Sequence, residues 1–66
     1  MVITVNGKQE EIKREMLLVE FLNSKALNPN MIVMELNCII VKKEHLATIT
    51  LNENDSLEII RFVGGG

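Results

Sequence analysis

The sequence has few of the side chains from which catalytic and metal sites are built. Its 66 residues include one cysteine and one histidine, and no tryptophan or tyrosine. A single cysteine excludes an intrachain disulfide and is typical of proteins kept in the reducing cytoplasm. The sequence also lacks glycine-rich phosphate-binding motifs and paired Cys or His metal motifs. We therefore predict a cytoplasmic protein that is not an enzyme and binds no cofactor or metal by itself.

Charge and hydropathy argue against two further classes. Seven Lys and Arg residues against nine Asp and Glu residues give a net charge of −2, which is a poor match to a nucleic-acid-binding surface. No apolar run approaches the ~20 residues that span a bilayer, and the first residues lack the pattern of a signal peptide. We expect one small domain that contacts neither nucleic acid nor membrane.

The two ends of the sequence predict paired strands. "VITV" is followed by Asn6-Gly7, and this dipeptide favours a type I′ hairpin because both central positions need a positive φ. The return strand is predicted at about residues 8–12. Near the other end, "SLEIIRFV" predicts a strand with apolar residues on both faces, which is typical of a central strand. One face carries Leu57, Ile59 and Val63, and the other carries Ile60 and Phe62.

The middle of the chain predicts one helix and a second hairpin. The helix is indicated by apolar residues at helical spacing and is expected to end before Pro29; its apolar stripe is Leu18, Phe21, Leu22 and Ala26. Strands are predicted within "MIVMELN" and "IIV", joined by a tight turn at Asn37-Cys38, whereas residues 46–51 fit either a strand or a loop. Together the elements predict an α+β fold in which the last strand lies parallel to the first and the helix covers one face.

The few reactive residues have ordinary structural interpretations. His45 fits a solvated connector, and Cys38 fits a small residue in a tight turn. The two would form a nucleophile–base pair only if they met in space beside an orienting group. Lys42 and Lys43 fit a solvated surface, and the methionines fit gap-filling positions rather than a metal site.

A specific resemblance is carried by four segments: "VNG", "EFL", "VMELN" and "NDSLEIIRFVGGG". Their combination along essentially the whole chain resembles the ThiS family, the sulfur carriers of thiamine thiazole synthesis. The resemblance implies a ubiquitin-like β-grasp fold, with a mixed sheet of four to five strands and one helix packed across one face. It further implies a β-grasp domain at residues 1–63 and a flexible glycine tail at residues 64–66.

The family resemblance also implies the chemistry. A ThiF-like adenylyltransferase uses Mg-ATP to adenylate the carboxylate of Gly66, and sulfur from a cysteine desulfurase system converts it to a thiocarboxylate. The thiocarboxylate gives its sulfur to a ThiG-like thiazole synthase. Gly64 and Gly65 form the thin segment that enters the partner's active site. Ile60 and Phe62 are the candidate docking surface, with burial in the core as the alternative.

Three positions depart from the family pattern, and two other functions remain open. Cys38 and Asn54 stand where the family usually has Gly in turns, and Leu17 stands where a Thr or Ser usually caps the helix. One alternative is a sulfur carrier for another pathway, such as molybdopterin synthesis, tRNA thiolation or cysteine synthesis. The other is a non-catalytic β-grasp module that binds proteins and whose glycines have no role.

Overall fold

The computed structural model describes residues 1–62. Within them the elements are β1 (Val2–Val5), β2 (Lys8–Glu11), β3 (Met16–Leu17), α1 (Leu18–Ser24), β4 (Ile32–Leu36), β5 (Ile39–Ile40), β6 (Thr50–Leu51) and β7 (Ser56–Arg61), with 3-10 turns at Pro29–Met31 and Lys43–His45. Five strands form a mixed sheet in the order β2–β1–β7–β4–β5, and β3 pairs with β6 in a separate ladder. The predicted fold is confirmed, while the predicted boundary after residue 63 and the tail at 64–66 lie outside the described residues.

The predicted neighbours at the centre of the sheet are confirmed. β7 runs parallel to β1 and antiparallel to β4. The connection between β1 and β7 includes α1, as a parallel pair requires a long crossover. The sequence did not reveal the short β3–β6 ladder, in which Met16 faces Leu51 and Leu17 faces Thr50. Residues 46–51, whose sequence fits either a strand or a loop, contain only the two strand residues of β6.

Both predicted hairpin turns have a positive φ at their two central residues. φ is 50° at Asn6 and 81° at Gly7, and it is 52° at Asn37 and 71° at Cys38. Positive φ at both central positions is the type I′ geometry that matches the twist of the flanking strands. Asn tolerates this conformation well, but Cys38 occupies it with a β-carbon that glycine would not have.

The N-cap residue of the helix does not cap it with its side chain. Leu17 is the N-cap and has no oxygen in its side chain to accept an amide hydrogen bond. Glu20 supplies half of a capping box instead, because its carboxylate accepts a hydrogen bond of 2.9 Å from the Leu17 N–H. Although Leu17 departs from the family pattern, one hydrogen bond of the capping box is therefore still formed at the helix start.

The helix ends earlier than Pro29, and the prediction that Ala26 belongs to its apolar stripe is wrong. α1 stops at Ser24, and Ala26 is exposed with φ of 56°. The Leu27 N–H donates to the Leu22 carbonyl at 2.9 Å, and the Ala26 N–H donates to the Asn23 carbonyl at 3.1 Å. This is a Schellman motif, in which the left-handed position is usually Gly. Local backbone closure therefore ends the helix before the proline does.

One hydrophobic core lies between the sheet and the helix. The predicted helix positions Leu18, Phe21 and Leu22 are buried in it. Within residues 1–62 ten apolar residues are buried: Ile3, Ile12, Leu18, Phe21, Leu22, Ile32, Met34, Leu46, Leu51 and Leu57. Since β1, β4 and β7 each contribute from one face only, the opposite face of the sheet is left without a covering layer among the described residues.

A polar clamp holds the start of β7. The Asp55 carboxylate accepts hydrogen bonds from the Asn52 N–H at 2.8 Å and from the Asn37 side-chain amide at 3.0 Å. The Asn37 side-chain oxygen accepts from the Ser56 N–H at 2.9 Å. Asn54 has φ of 71°, so this asparagine adopts the conformation for which the family usually has Gly. The clamp ties the turn before β7 to the β4–β5 turn.

Candidate functional site

The last described residues are firmly held in the centre of the sheet. β7 pairs with β4 along its length, from Leu57 opposite Leu36 to Arg61 opposite Ile32. The Phe62 N–H extends this ladder by donating to the Met31 carbonyl at 3.0 Å. The structure therefore fixes the position from which the final residues depart. Val63, Gly64, Gly65 and Gly66 lie outside the described residues.

A side chain from the first hairpin supports the same strand where β1 ends. β1 accompanies β7 only as far as the pairs Thr4–Ser56 and Val5–Leu57. Beyond them the Asn6 side-chain oxygen accepts a hydrogen bond of 2.7 Å from the Ile59 N–H. Asn6 thus serves both the turn and the support of β7. Four residues after Phe62 could extend at most ~14 Å from this fixed point.

The uncovered face of the sheet carries an apolar surface beside that departure point. Ile60 is 58% exposed and Phe62 is 55% exposed, so the alternative that they belong to the core is wrong. Val33 lies directly opposite Ile60 in the β4–β7 ladder and is also exposed, as is Met31 beside Phe62. We call these four residues, Met31, Val33, Ile60 and Phe62, the outer patch. Scattered exposed apolar residues need no explanation, but a contiguous group is a common mark of an interaction site.

Only half of the outer patch was predicted from the sequence. The prediction included Ile60 and Phe62 but not Val33 or Met31. The signal for Val33 was present, since it alternates with buried Ile32 and Met34 and must therefore face away from the core. Met31 precedes the strand in a 3-10 turn, where alternation gives no guidance.

Two glutamates border the outer patch within the same two strands. Glu35 of β4 lies directly opposite Glu58 of β7, two register pairs along the ladder from Val33 and Ile60 and therefore on the same face. Glu58 is exposed and Glu35 is half-buried. The single ion pair within residues 1–62 joins Lys25 to Glu10, so neither member of this acidic pair has a cationic partner there.

The remaining reactive residues lie apart from the outer patch. Cys38 is a free, exposed thiol at the tip of the β4–β5 turn. His45 is exposed in a 3-10 turn, as expected for a solvated connector. Within residues 1–62 no group of three or more His, Cys, Asp or Glu side chains is placed to hold a metal ion. No helix in this part of the chain is long and apolar enough to cross a membrane.

Comparison with known proteins decides the family. The ThiS family profile matches residues 3–66. The chain belongs to the ThiS family. This match includes all three terminal glycines, which favours the carrier interpretation over a binding module whose glycines have no role. ThiS-family proteins are sulfur carriers in thiamine biosynthesis, and the chain shares that assignment.

Individual relatives agree with this assignment. The chain is 32% identical over 65 residues to the sulfur carrier protein ThiS of Bacillus subtilis, covering 97% of this chain and 98% of that protein. The crystal structure of the thiamine biosynthesis protein ThiS from Geobacter metallireducens superposes with a TM-score of 0.85 at 29% identity and full coverage of both chains. The β-grasp fold of the ThiS family is thereby confirmed.

A third relative is much longer than this chain. The chain is 30% identical over 66 residues to a thiazole synthase of Paramagnetospirillum magneticum, covering 100% of this chain but only 20% of that protein. The chain thus spans a fifth of that relative, which carries a ThiS-like segment within a protein named for thiazole synthesis.

Proposed function

We propose that this ThiS-family protein carries sulfur on the carboxylate of Gly66. A carboxylate oxygen attacks the α-phosphate of ATP and releases pyrophosphate, giving an acyl-adenylate. A hydrosulfide equivalent supplied by a partner then displaces AMP, and loss of its proton gives the thiocarboxylate. The observation that best supports this proposal is the hydrogen-bonded anchoring of β7 as far as Phe62, at the edge of an exposed apolar patch.

Glycine suits the final segment for physical reasons. A terminal carboxylate has an ordinary pKa of about 3.5 and is ionised at neutral pH, so it is ready to act as the nucleophile. Gly64 and Gly65 add no side chains, so the C-terminal segment is narrow and its backbone can approach an enclosed ATP site closely. Gly66 itself has no β-carbon beside the reacting carboxyl carbon.

The folded domain must supply the binding energy that the glycine tail lacks. Ordering three backbone residues costs on the order of 3–6 kcal/mol, and glycines bury no side chains in return. Full burial of a side chain the size of Ile or Phe contributes about 1.5–3 kcal/mol. We propose that Ile60 and Phe62, with their neighbours in the outer patch, dock on the partner and offset the cost of ordering the tail.

The proposal includes three partner proteins and a location in the cytoplasm. A ThiF-like adenylyltransferase binds Mg-ATP and forms the adenylate, a cysteine desulfurase system supplies sulfur, and a ThiG-like thiazole synthase accepts it. The similarity to a thiazole synthase supports the last of these. The carrier itself catalyses none of these steps and acts as a substrate in the cytoplasm, where its exposed free thiol at Cys38 is kept reduced.

Intact-mass measurement tests this proposal in the native host. Protein isolated under conditions that preserve thiocarboxylates is expected to contain a species in which one oxygen is exchanged for sulfur, and fragmentation should place the exchange at Gly66. The same species should disappear from cells that lack the adenylyltransferase. A chain that shows no exchange in cells actively making thiamine, or one with sulfur at Cys38 instead, would contradict the proposal.

A further inference from the structure

We propose that the acidic pair, Glu35 and Glu58, selects a partner whose docking site combines an apolar pocket with an adjacent arginine or lysine. The inference rests on the proposed function and names the chemistry of the adenylyltransferase surface that receives the outer patch. The observation behind it is the arrangement of two unpaired carboxylates in register beside four exposed apolar side chains.

The pair is unfavourable in the isolated fold. Like charges placed directly opposite on neighbouring antiparallel strands repel each other, and their Cβ atoms are typically only 4.5–5.5 Å apart. The neighbour of Glu35 on its other side is Ile40, an exposed apolar residue that offers no compensating charge. A guanidinium or ammonium group from outside would relieve this repulsion, and it would do so only when a partner is docked.

The position of the pair fits the border of an interface. The neighbouring Val33–Ile60 pair belongs to the outer patch, so a partner that covers the patch brings its own rim over Glu35 and Glu58. Protein interfaces commonly have an apolar centre and a polar rim. Charges at the rim mainly control the association rate and its salt dependence, because they steer the encounter.

The same charges argue against a second copy of this chain as the occupant. In a two-fold dimer both copies use the same surface. Burying one outer patch against another would therefore bring two acidic pairs into one small interface. A basic partner satisfies both the apolar and the charged part of the surface, whereas self-association satisfies only the apolar part.

Association kinetics with the cognate adenylyltransferase test the inference. The double variant E35Q/E58Q should associate about tenfold more slowly at low salt, with a flatter dependence of the association rate on ionic strength. Its melting temperature should be unchanged or higher. The control is E15Q/E44Q, which removes the same charge at exposed positions outside the five-stranded sheet and should associate like wild type.

Several outcomes would overturn the inference. Wild-type rates for E35Q/E58Q at all salt concentrations would do so, as would an equal loss in E15Q/E44Q, or a wild-type dimer that forms through the outer patch in sedimentation experiments. The proposed function is checked separately by adenylation at saturating carrier concentration. If the wild-type carrier is adenylated there but E35Q/E58Q associates at the wild-type rate, this inference alone fails. If the wild-type carrier is not adenylated, the carrier function itself fails.

Discussion

Truncation of one exposed side chain tests whether the outer patch docks on the adenylyltransferase. In Ile60→Ala most of the side chain is removed from a position that is 58% exposed in the free protein. Full burial of an Ile side chain contributes about 1.5–3 kcal/mol, and only the exposed part remains to be buried on docking. We therefore expect a loss of about 1–2 kcal/mol in binding free energy, or roughly a 5- to 30-fold weaker Kd.

The chain contains a matched control for this change. Ile39 is 71% exposed, but it lies on the edge strand β5 and pairs with Leu36, on the face opposite to the outer patch. Ile39→Ala removes the same atoms and should leave Kd unchanged. Neither substitution should alter stability by more than about 0.5 kcal/mol, because neither side chain is buried.

Isothermal titration calorimetry with the adenylyltransferase in the absence of ATP measures the effect without the chemical step. Thermal melting of each variant alone shows whether the fold is preserved. If Ile60→Ala binds as tightly as wild type, or if Ile39→Ala weakens binding to the same extent, the outer patch is not the docking surface.

Three further substitutions test the fold and the dispensable thiol. Phe21 is 1% exposed, so Phe21→Ala should lower the free energy of unfolding in urea by about 3–5 kcal/mol, and a loss below ~1 kcal/mol would contradict its place in the core. Ala26 has a left-handed φ of 56°, so Ala26→Gly should raise that free energy by about 0.5–1 kcal/mol, and destabilisation would refute the strained cap. Cys38→Gly should leave sulfur loading by mass spectrometry intact and stabilise the turn; loss of loading in a folded variant would give the thiol a role.

The sequence predicted the sheet because local signals and the global arrangement agree there. Asn6-Gly7 has the backbone of its predicted turn, and the apolar composition of β7 correctly placed that strand at the centre. The same composition could not tell whether Ile60 was covered, since that depends on whether a second layer packs on the face. Whether one or both faces of a strand are covered depends on how the other elements pack, and the alternation of side chains along the strand does not reveal it.

The errors have equally local causes. Ala26 has the right spacing for the helix stripe, yet the Leu27–Leu22 hydrogen bond closes the helix first. Alanine gives no sequence signal for a left-handed conformation. The acidic pair could not be predicted from the sequence either, because the register that places Glu35 opposite Glu58 follows from strand pairing rather than from either segment alone.

The central claim is that the carboxylate of Gly66 must lie at one fixed distance from the folded domain to react with ATP. Changing the length of the tail tests this claim most directly. Deleting Gly66 leaves a chemically similar carboxylate about 3.5 Å short, and adding one residue moves it a similar distance beyond the phosphate. Since a misplacement of 1 Å can cost about a hundredfold in rate, both variants should lose ATP–pyrophosphate exchange with the adenylyltransferase almost entirely. Their melting curves should match wild type, because glycines bury no side chains. Exchange at near wild-type rate in either variant would contradict the claim that Gly66 is the reactive end.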